Sequence, residues 1–377
     1  MPERKTPAAF YRGGTSKAVF FHSHDLPEDP GERDQMLLHV LGSPDPYGRQ
    51  LNGLGGGISS LSKAMWVERS KRNDADIDYT FAQIAVREPV VDYSANCGNM
   101  SSSVGQFAVE EGIFPVPDGD AIIRMYNTNT DICVHSRFRI EDGRAVTQGD
   151  IEIPGVFGAG APVQLDFQDP SRVTGRGLLP TGYEQEIINA PGFGEVPVSI
   201  VDAAALGVFV PAESLGLKAC ESPEEIEAKA DVMAAMEIIR REAAVRAGLR
   251  ETPEAAPLSA PRVAIVASPR TFTSLDGRQH KPENFDLAVR MASLGTIHRA
   301  VMVTGAMCLA AASLIEGSVP HSYATGAGDD GMVRLGNPSG ITGVGASVSK
   351  ENKTWQAQST SIMRTCRRLM DGFVYHP

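Results

Sequence analysis

The sequence predicts an α+β protein of two pseudo-symmetric domains, each a mixed β-sheet wrapped around a central helix. Three observations carry that reading. First, a chain of 377 residues is too long for one ordinary core and suits two domains of roughly 150–200 residues. Second, segments echo each other in the same order. Ala18-Val19-Phe20-Phe21 leads to Leu26, and Gly207-Val208-Phe209-Val210 leads at the same spacing to Leu215, with Val19 and Val208 189 positions apart. Residues 107–112 lead to Pro115 and residues 312–317 to Pro320, with Gly112 and Gly317 205 positions apart. Third, each half holds one prominent apolar helix, expected over 101–111 before Gly112 and over 306–316 before Gly317. The second helix is small and apolar all round, which marks a buried helix. The halves are expected over residues 1–186 and 187–377, with the last strand free to return to the first domain.

The elements follow in order. Residues 8–21, 77–86, 121–126, 132–140, 145–153 and 162–167 read as strands, joined by 198–210, 262–266 and a stretch near 347–349. Asp142-Gly143 is a hairpin turn. Ser222-Pro223-Glu224-Glu225 supplies an N-cap, a proline at the first helical position and a capping-box glutamate, so a long helix is expected from there to Ala247. It reads as a covering or oligomer-contact helix, compatible with a homodimer.

A net charge of −11 argues against nucleic acid or an anionic membrane as the main partner. The first residues lack an apolar stretch behind their charges, and no run of about 18 apolar residues exists. The five cysteines are scattered and lack metal-knuckle spacing, so neither a disulfide framework nor a zinc site is expected, and a reducing cytoplasm is the natural setting. Metal chemistry is disfavoured, since no His-x-x-x-His motif appears.

Five motifs could carry chemistry. In Tyr11-Arg12-Gly13-Gly14-Thr15-Ser16-Lys17 the glycines let backbone approach a ligand, Thr15 and Ser16 offer hydroxyls, and Arg12 offers a fork for a carboxylate. The same residues would also serve as a turn. Residues 53–63 combine glycines with Ser59, Ser60 and Ser62 into an anion nest closed by Lys63. A lysine held away from water can act as a base. That loop also resembles the phosphate loop of GHMP-type kinases, the rival reading from another class. Asn96-Cys97-Gly98-Asn99-Met100 enters the first buried helix, where free N–H groups favour a thiolate or a bound carboxylate. His298, with Thr304-Gly305-Ala306-Met307, enters the second. Ser339 and Gly340 lie in the loop Gly336-Asn337-Pro338-Ser339-Gly340. His298 fits a core position as well as a site. Two helix N-termini meeting across a domain cleft would hold two carboxylates.

Together these motifs resemble the PrpF family, a branch of the diaminopimelate epimerase-like fold. The matching elements are Arg12-Gly13-Gly14-Thr15-Ser16-Lys17, residues 55–63, Asn96-Cys97-Gly98-Asn99, His298 with Thr304-Gly305, and Asn337-Pro338-Ser339-Gly340, in the family's order. The resemblance implies a site between two domains and cofactor-free isomerisation of unsaturated polycarboxylates such as aconitate, 2-methylaconitate or 4-oxalomesaconate. It implies Lys63 and Cys97 as the acid/base pair. Epimerases of the wider fold place a second cysteine after Gly-Thr-Gly-Ala; here Met307 stands there, and Cys308 is rotated about 100° along the helix. Two-cysteine racemisation is therefore not expected. The readings carried forward are an allylic proton-transfer isomerase, a 4-oxalomesaconate tautomerase within it, a GHMP-like kinase and a non-catalytic carboxylate binder.

Overall fold

The computed structural model describes residues 3–93, 96–257, 260–293, 295–328 and 331–377. It holds two compact units, Met1–Asp166 with Met363–Pro377, and Phe167–Ile362. The sequence reading drew the boundary at residue 186. The loop between 166 and 186 belongs instead to the second unit, because Asp202 accepts hydrogen bonds from the Val173 and Thr174 amides, and Ser199 donates to the Glu184 carbonyl.

In the first unit the strands lie side by side as Cys366–His376, Arg4–Gly13, Ser16–His22, Lys63–Arg69, Ile77–Ile84, Gly119–Asn127 and Ile132–Glu141. Successive pairings are antiparallel, antiparallel, parallel, antiparallel, parallel and antiparallel. In the second unit the row is Glu186–Ala190, Gly194–Asp202, Leu206–Pro211, Arg262–Ala267, Leu287–Ser293, Met332–Asn337 and Gly340–Glu351, with the same sequence of senses. Each parallel pair requires a crossover, and the helices sit there. The first crossover carries α1 (Pro30–Leu41) in one unit, and α3 (Pro223–Glu227) with α4 (Ala230–Arg246) in the other. The second carries α2 (Gly98–Glu110) and, in the other unit, α5 (Val303–Ser313) followed by α6 (Val319–Tyr323). The two echoes read from sequence fall on matching strands and on the ends of matching helices.

Side-chain alternation fixes which face meets which helix. Val19, Phe21, Ala64, Trp66, Ala82 and Ile84 pack with Leu37 and Leu41 of α1. The opposite face covers α2, buried from Met100 to Val109. In the second unit α4 packs Val232, Met236 and Ile239 against Val208, Val263 and Ile265. On the other side α5 is buried at Val303 and from Gly305 to Ser313.

Several elements differ from the sequence reading. The strand expected over 8–21 is a hairpin turning at Gly14-Thr15, and that over 198–210 is two strands turning at 203–205. The run of alanines at 203–205 hides the second turn, whereas residues 12–17 are glycine and polar and already read as a possible turn. Residues 145–153 form only short pieces, Arg144–Ala145 and Ile151–Glu152. Both central helices begin three residues earlier than expected, because Gly98-Asn99 and Thr304-Gly305 read as loop but form first turns. The helix expected from Pro223 to Ala247 breaks at Lys229, whose ψ is 86°. The Lys63–Arg69 and Thr354–Arg364 strands went unrecognised. Asp142-Gly143 does close a two-residue hairpin with both φ positive.

The capping box at Ser222 is complete: its hydroxyl accepts from the Glu225 amide, and the Glu225 carboxylate accepts from the Ser222 amide. Ser222→Ala should cost about 1 kcal/mol, read as a lower urea midpoint at unchanged slope.

Candidate active site

α2 starts without a side-chain cap. Cys97 is its N-cap residue, in extended backbone, and the half-buried thiol makes no capping hydrogen bond. The amides of Gly98, Asn99 and Met100 therefore keep the open donors that a helix N-terminus presents. The entry loop is held from beneath. Fully buried Tyr79 accepts a hydrogen bond from Asn96 Nδ2 at 2.9 Å and pairs with Ser101 Oγ at 3.0 Å. Burial pushes the Tyr79 phenol up, so it stays protonated.

The hairpin turn presses onto the same helix end. A Cβ on Gly13 would lie 2.6 Å from the Asn99 carbonyl oxygen, and one on Gly14, at φ +48°, would lie 2.2 Å from Asn99 Oδ1. These glycines admit a helix rather than a ligand. Asn99 Nδ2 donates to Thr15 Oγ1 at 3.0 Å, and Asn99 Oδ1 accepts from Arg364 Nε at 3.2 Å. Ser16 is buried on the α2 side. Arg12 and Lys17 are cross-strand partners on the other face. Arg12 closes onto the Gly14 and Thr365 carbonyls, and Lys17 Nζ lies 5.7 Å from the Phe10 ring centre. Arg12 also lines a cavity of about 840 Å³ that neither Lys63 nor Cys97 reaches.

Lys63 opens its strand and shares with Gln83, Phe81 and Tyr79 the face that meets α2. It is 6% exposed. Its Nζ donates to Gln83 Oε1 and lies 5.1 Å from the centre of the Phe81 ring. The Gln83 amide nitrogen donates to the Ser59 and Ser62 carbonyls at 3.0 and 2.9 Å, which fixes its oxygen toward the lysine. No carboxylate pairs with Lys63 among the described residues.

The glycine loop is closed. A Cβ on Gly53 would lie 2.2 Å from the Gly42 amide nitrogen, and one on Gly55 would lie 2.3 Å from the Gln50 side chain. Gln50 donates to Ser62 Oγ at 2.7 Å and accepts from the Gly57 amide at 2.9 Å. Ser59 and Ser60 form a single turn, Ser59–Leu61, with Ser59 exposed and Ser60 half-buried. The amides of Gly53, Leu54, Gly55, Gly57 and Leu61 are spent within the chain, which leaves the glycine stretch mostly self-bonded.

In the second unit α5 also begins without a side-chain cap, at Met302. Thr304 is half-buried in the first turn. Gly305 is a packing glycine, since a Cβ there would meet Met291 Sδ at 2.4 Å. Ala306 and Met307 are fully buried, and Thr360 Oγ1 donates to Met307 Sδ at 3.2 Å. Ser339 Oγ donates to the Arg299 carbonyl at 2.6 Å, joining its loop to the segment that holds His298. Gly340, at φ +128°, faces the His280 ring. His298 Nδ1 bonds the Ala300 carbonyl, so that nitrogen carries the hydrogen and Nε2 is left as an acceptor.

The model of the PrpF protein family matches residues 3–377. The chain belongs to the PrpF family. A 2-methyl-aconitate isomerase from Shewanella oneidensis is 37% identical over 389 residues, covering 100% of this chain and 98% of the relative. A crystal structure of a methylitaconate-delta-isomerase superposes with a TM-score of 0.89 at 33% identity, covering 100% of this chain and 96% of that one. A hydroxyproline epimerase from Agrobacterium vitis, at 15% identity and a TM-score of 0.53 over 99% of this chain and 93% of that one, shares the fold. This PrpF chain is an isomerase with the epimerase-like fold, which displaces the kinase reading of the glycine loop.

Among its described residues no helix is long and apolar enough to cross a membrane, and no cluster of His, Cys, Asp and Glu offers a metal ligand set. The PrpF chain also keeps Cys308 out of reach: the thiol is fully buried, donates to the Val201 carbonyl at 3.2 Å and is pushed up by burial. Sequence reasoning missed Tyr79, Gln83 and Arg364. The first two share one parity with Ile77 and Phe81 in a recognised strand, so inward-facing polar residues were the available signal. Arg364 ends a strand that was not recognised.

Burial, with Arg262 acting in the same direction, pushes His298 below its ordinary value near 6.5. The unfolded chain then binds a proton before the folded one does. Stability from this group is unaffected above about pH 7 and falls as pH drops through 6.5. NMR of the imidazole should show a neutral Nδ1–H ring at pH 6.5, and His298→Asn should flatten the acid limb of the stability curve.

Proposed function

We propose that this isomerase moves a proton between carbons of an unsaturated di- or tricarboxylate, with Lys63 and Cys97 as its acid/base groups. The buried lysine carries the reading: it faces α2, and among the described residues its amino group meets an amide oxygen and a ring, with no carboxylate. The 2-methyl-aconitate and methylitaconate isomerases it resembles bear names of the same substrate class.

The chemistry suits these groups. A C–H one double bond removed from a carboxylate is acidic because its anion spreads as a dienolate. Lys63, as the free amine, takes that proton and becomes an ammonium. The electron pair shifts through the double bond onto the carboxylate, where the open amides of Gly98, Asn99 and Met100 meet the added charge. The Cys97 thiol, or the lysine ammonium, returns a proton to the first carbon or to another. Where Cys97 is the donor, a proton then passes from the lysine ammonium to the thiolate to restore the start. Rotation in the intermediate followed by return of a proton to the first carbon yields the cis–trans isomer; return at another carbon moves the double bond.

Trans-aconitate, 2-methylaconitate and 4-oxalomesaconate are the substrates to try, followed by ultraviolet absorbance of the conjugated acid. Lys63→Ala should lower turnover roughly 10²–10⁴-fold, the scale of a general acid/base, while solvent deuterium ceases to enter the substrate. Turnover within threefold of the parent would remove Lys63 from the mechanism. Iodoacetamide should label Cys97 before buried Cys308 and Cys366, and a bound polycarboxylate should slow that labelling.

A further inference from the structure

Among the described residues Arg364 is a charge without a counter-charge. It is 5% exposed at the inner parity of its strand, in line with buried Thr360 and Ile362. Its Nε donates to Asn99 Oδ1 at 3.2 Å and its Nη1 to the Met363 carbonyl at 2.8 Å. Both partners are neutral, and among the described residues no carboxylate forms an ion pair with it. Among the described residues Nη2 makes no hydrogen bond. Burial pushes the guanidinium down to about 10, with no opposing charge to raise it. At neutral pH it is still a cation.

A buried cation paired only with neutral dipoles is costly. An arginine elsewhere in this unit shows the ordinary solution: Arg368 binds Glu110, Glu111 and Asp371. Arg364 has been left without such a partner at one particular place. Asn99, which fixes its Nε, is in the first turn of α2, two residues from Cys97, and the open helix amides lie in that turn. The Arg364 stem packs on Gly14, where a Cβ would lie 3.1 Å from Arg364 Cδ, so the guanidinium cannot swing away toward the turn.

We propose that Arg364 is a fixed cation of the substrate site, and that its Nη2 edge receives a carboxylate of the bound polycarboxylate beside the α2 N-terminus. The ligand supplies the missing counter-charge. The arginine is the directional partner and the helix amides the diffuse one, which favours acids with two or more carboxylates over monocarboxylates. The inference rests on the reading of this enzyme as a polycarboxylate isomerase, but not on which group moves the proton.

The test uses tricarballylate, a saturated tricarboxylate with no double bond to shift, so that binding is read apart from chemistry. In the parent protein it should raise the melting temperature in a concentration-dependent way. Arg364→Met should bind it roughly 10²-fold more weakly, the scale of losing one partner of a buried charged pair. The same variant without ligand should melt no lower than the parent, since an unpaired buried charge has been removed. Arg364→Lys, which keeps charge but loses the fork, should fall between them. If Arg364→Met melts lower without ligand and binds tricarballylate as the parent does, the arginine is structural and the proposal is wrong. If Arg364→Met does not fold, the lysine variant decides: unchanged affinity overturns the proposal, and weakened affinity at an unchanged ligand-free melting temperature supports it. Failure of the acid/base assignment reads differently, as Lys63→Ala that binds tricarballylate normally and still turns over substrate.

Discussion

Much of the first unit depends on one close approach, that of the Gly13-Gly14 turn to Asn99. Neither position has room for a Cβ against that residue. With both open, the hairpin lies flat on the first turn of α2, and Asn99 can reach Thr15 on one side and Arg364 on the other. The helix start is thereby fixed by three separate stretches of chain, far apart in sequence. Tyr79 secures it from below through Asn96 and Ser101. An end gripped this firmly needs no side-chain cap, and its amides stay open. α1, α3 and α6 take the opposite course, each capped by the side chain of Asp29, Ser222 or Ser318.

Two buried basic side chains share a second design. Lys63 and Arg364 each bind the oxygen of a side-chain amide, Gln83 in one case and Asn99 in the other. Each amide is oriented by its own donors' partners: the Gln83 nitrogen by two carbonyls, and the Asn99 nitrogen by Thr15. An amide oxygen stabilises a cation less than a carboxylate does. It also leaves the cation's charge uncancelled, which is what attraction of an anion, or release of a proton, requires. A carboxylate at either position would hold the fold as well and would take away the reason for a cation there.

The fold was legible where local signals agree with global ones. The Asp142-Gly143 turn, the Ser222 capping box, the buried character of both central helices and the duplicated order of segments all rest on short-range chemistry. The turn at 203–205 was not legible, because its alanines continue an apolar run, whereas that at Gly14-Thr15 was one of the two readings of residues 11–17. At the site, the residues written as motifs were visible, but their partners were not. Gly13, Gly14, Gly53 and Gly55 looked like ligand-facing backbone and instead face Asn99, Gly42 and Gln50. A glycine's lack of a side chain is visible in sequence, whereas what fills the space is a tertiary fact. Arg12 was visible as a guanidinium, but strand parity sends it from the face away from α2, while Arg364, from an unread strand at the other end of the chain, takes the place beside Asn99.

The duplication sharpens what is particular to the first unit. α2 and α5 occupy the same crossover in the same pattern of strands, and both start without a side-chain cap. Their N-cap residues differ. Cys97 can carry a proton; Met302 cannot. Inside α5, Met307 and Cys308 are sealed, one accepting from Thr360 and the other donating to Val201. The strand that follows the first crossover differs as well. Lys63 opens it in the first unit, and in the second Arg262 stands at the start of the matching strand. A guanidinium holds its proton across the physiological range, so only the first unit has a side chain at that position able to exchange one. Two copies of one architecture thus retain the same open helix end, while at these two matched positions only one copy has groups able to exchange a proton. That asymmetry fits an isomerase that moves a proton from carbon to carbon with a lysine and a single cysteine, and it does not fit one that relays protons between two matched thiols.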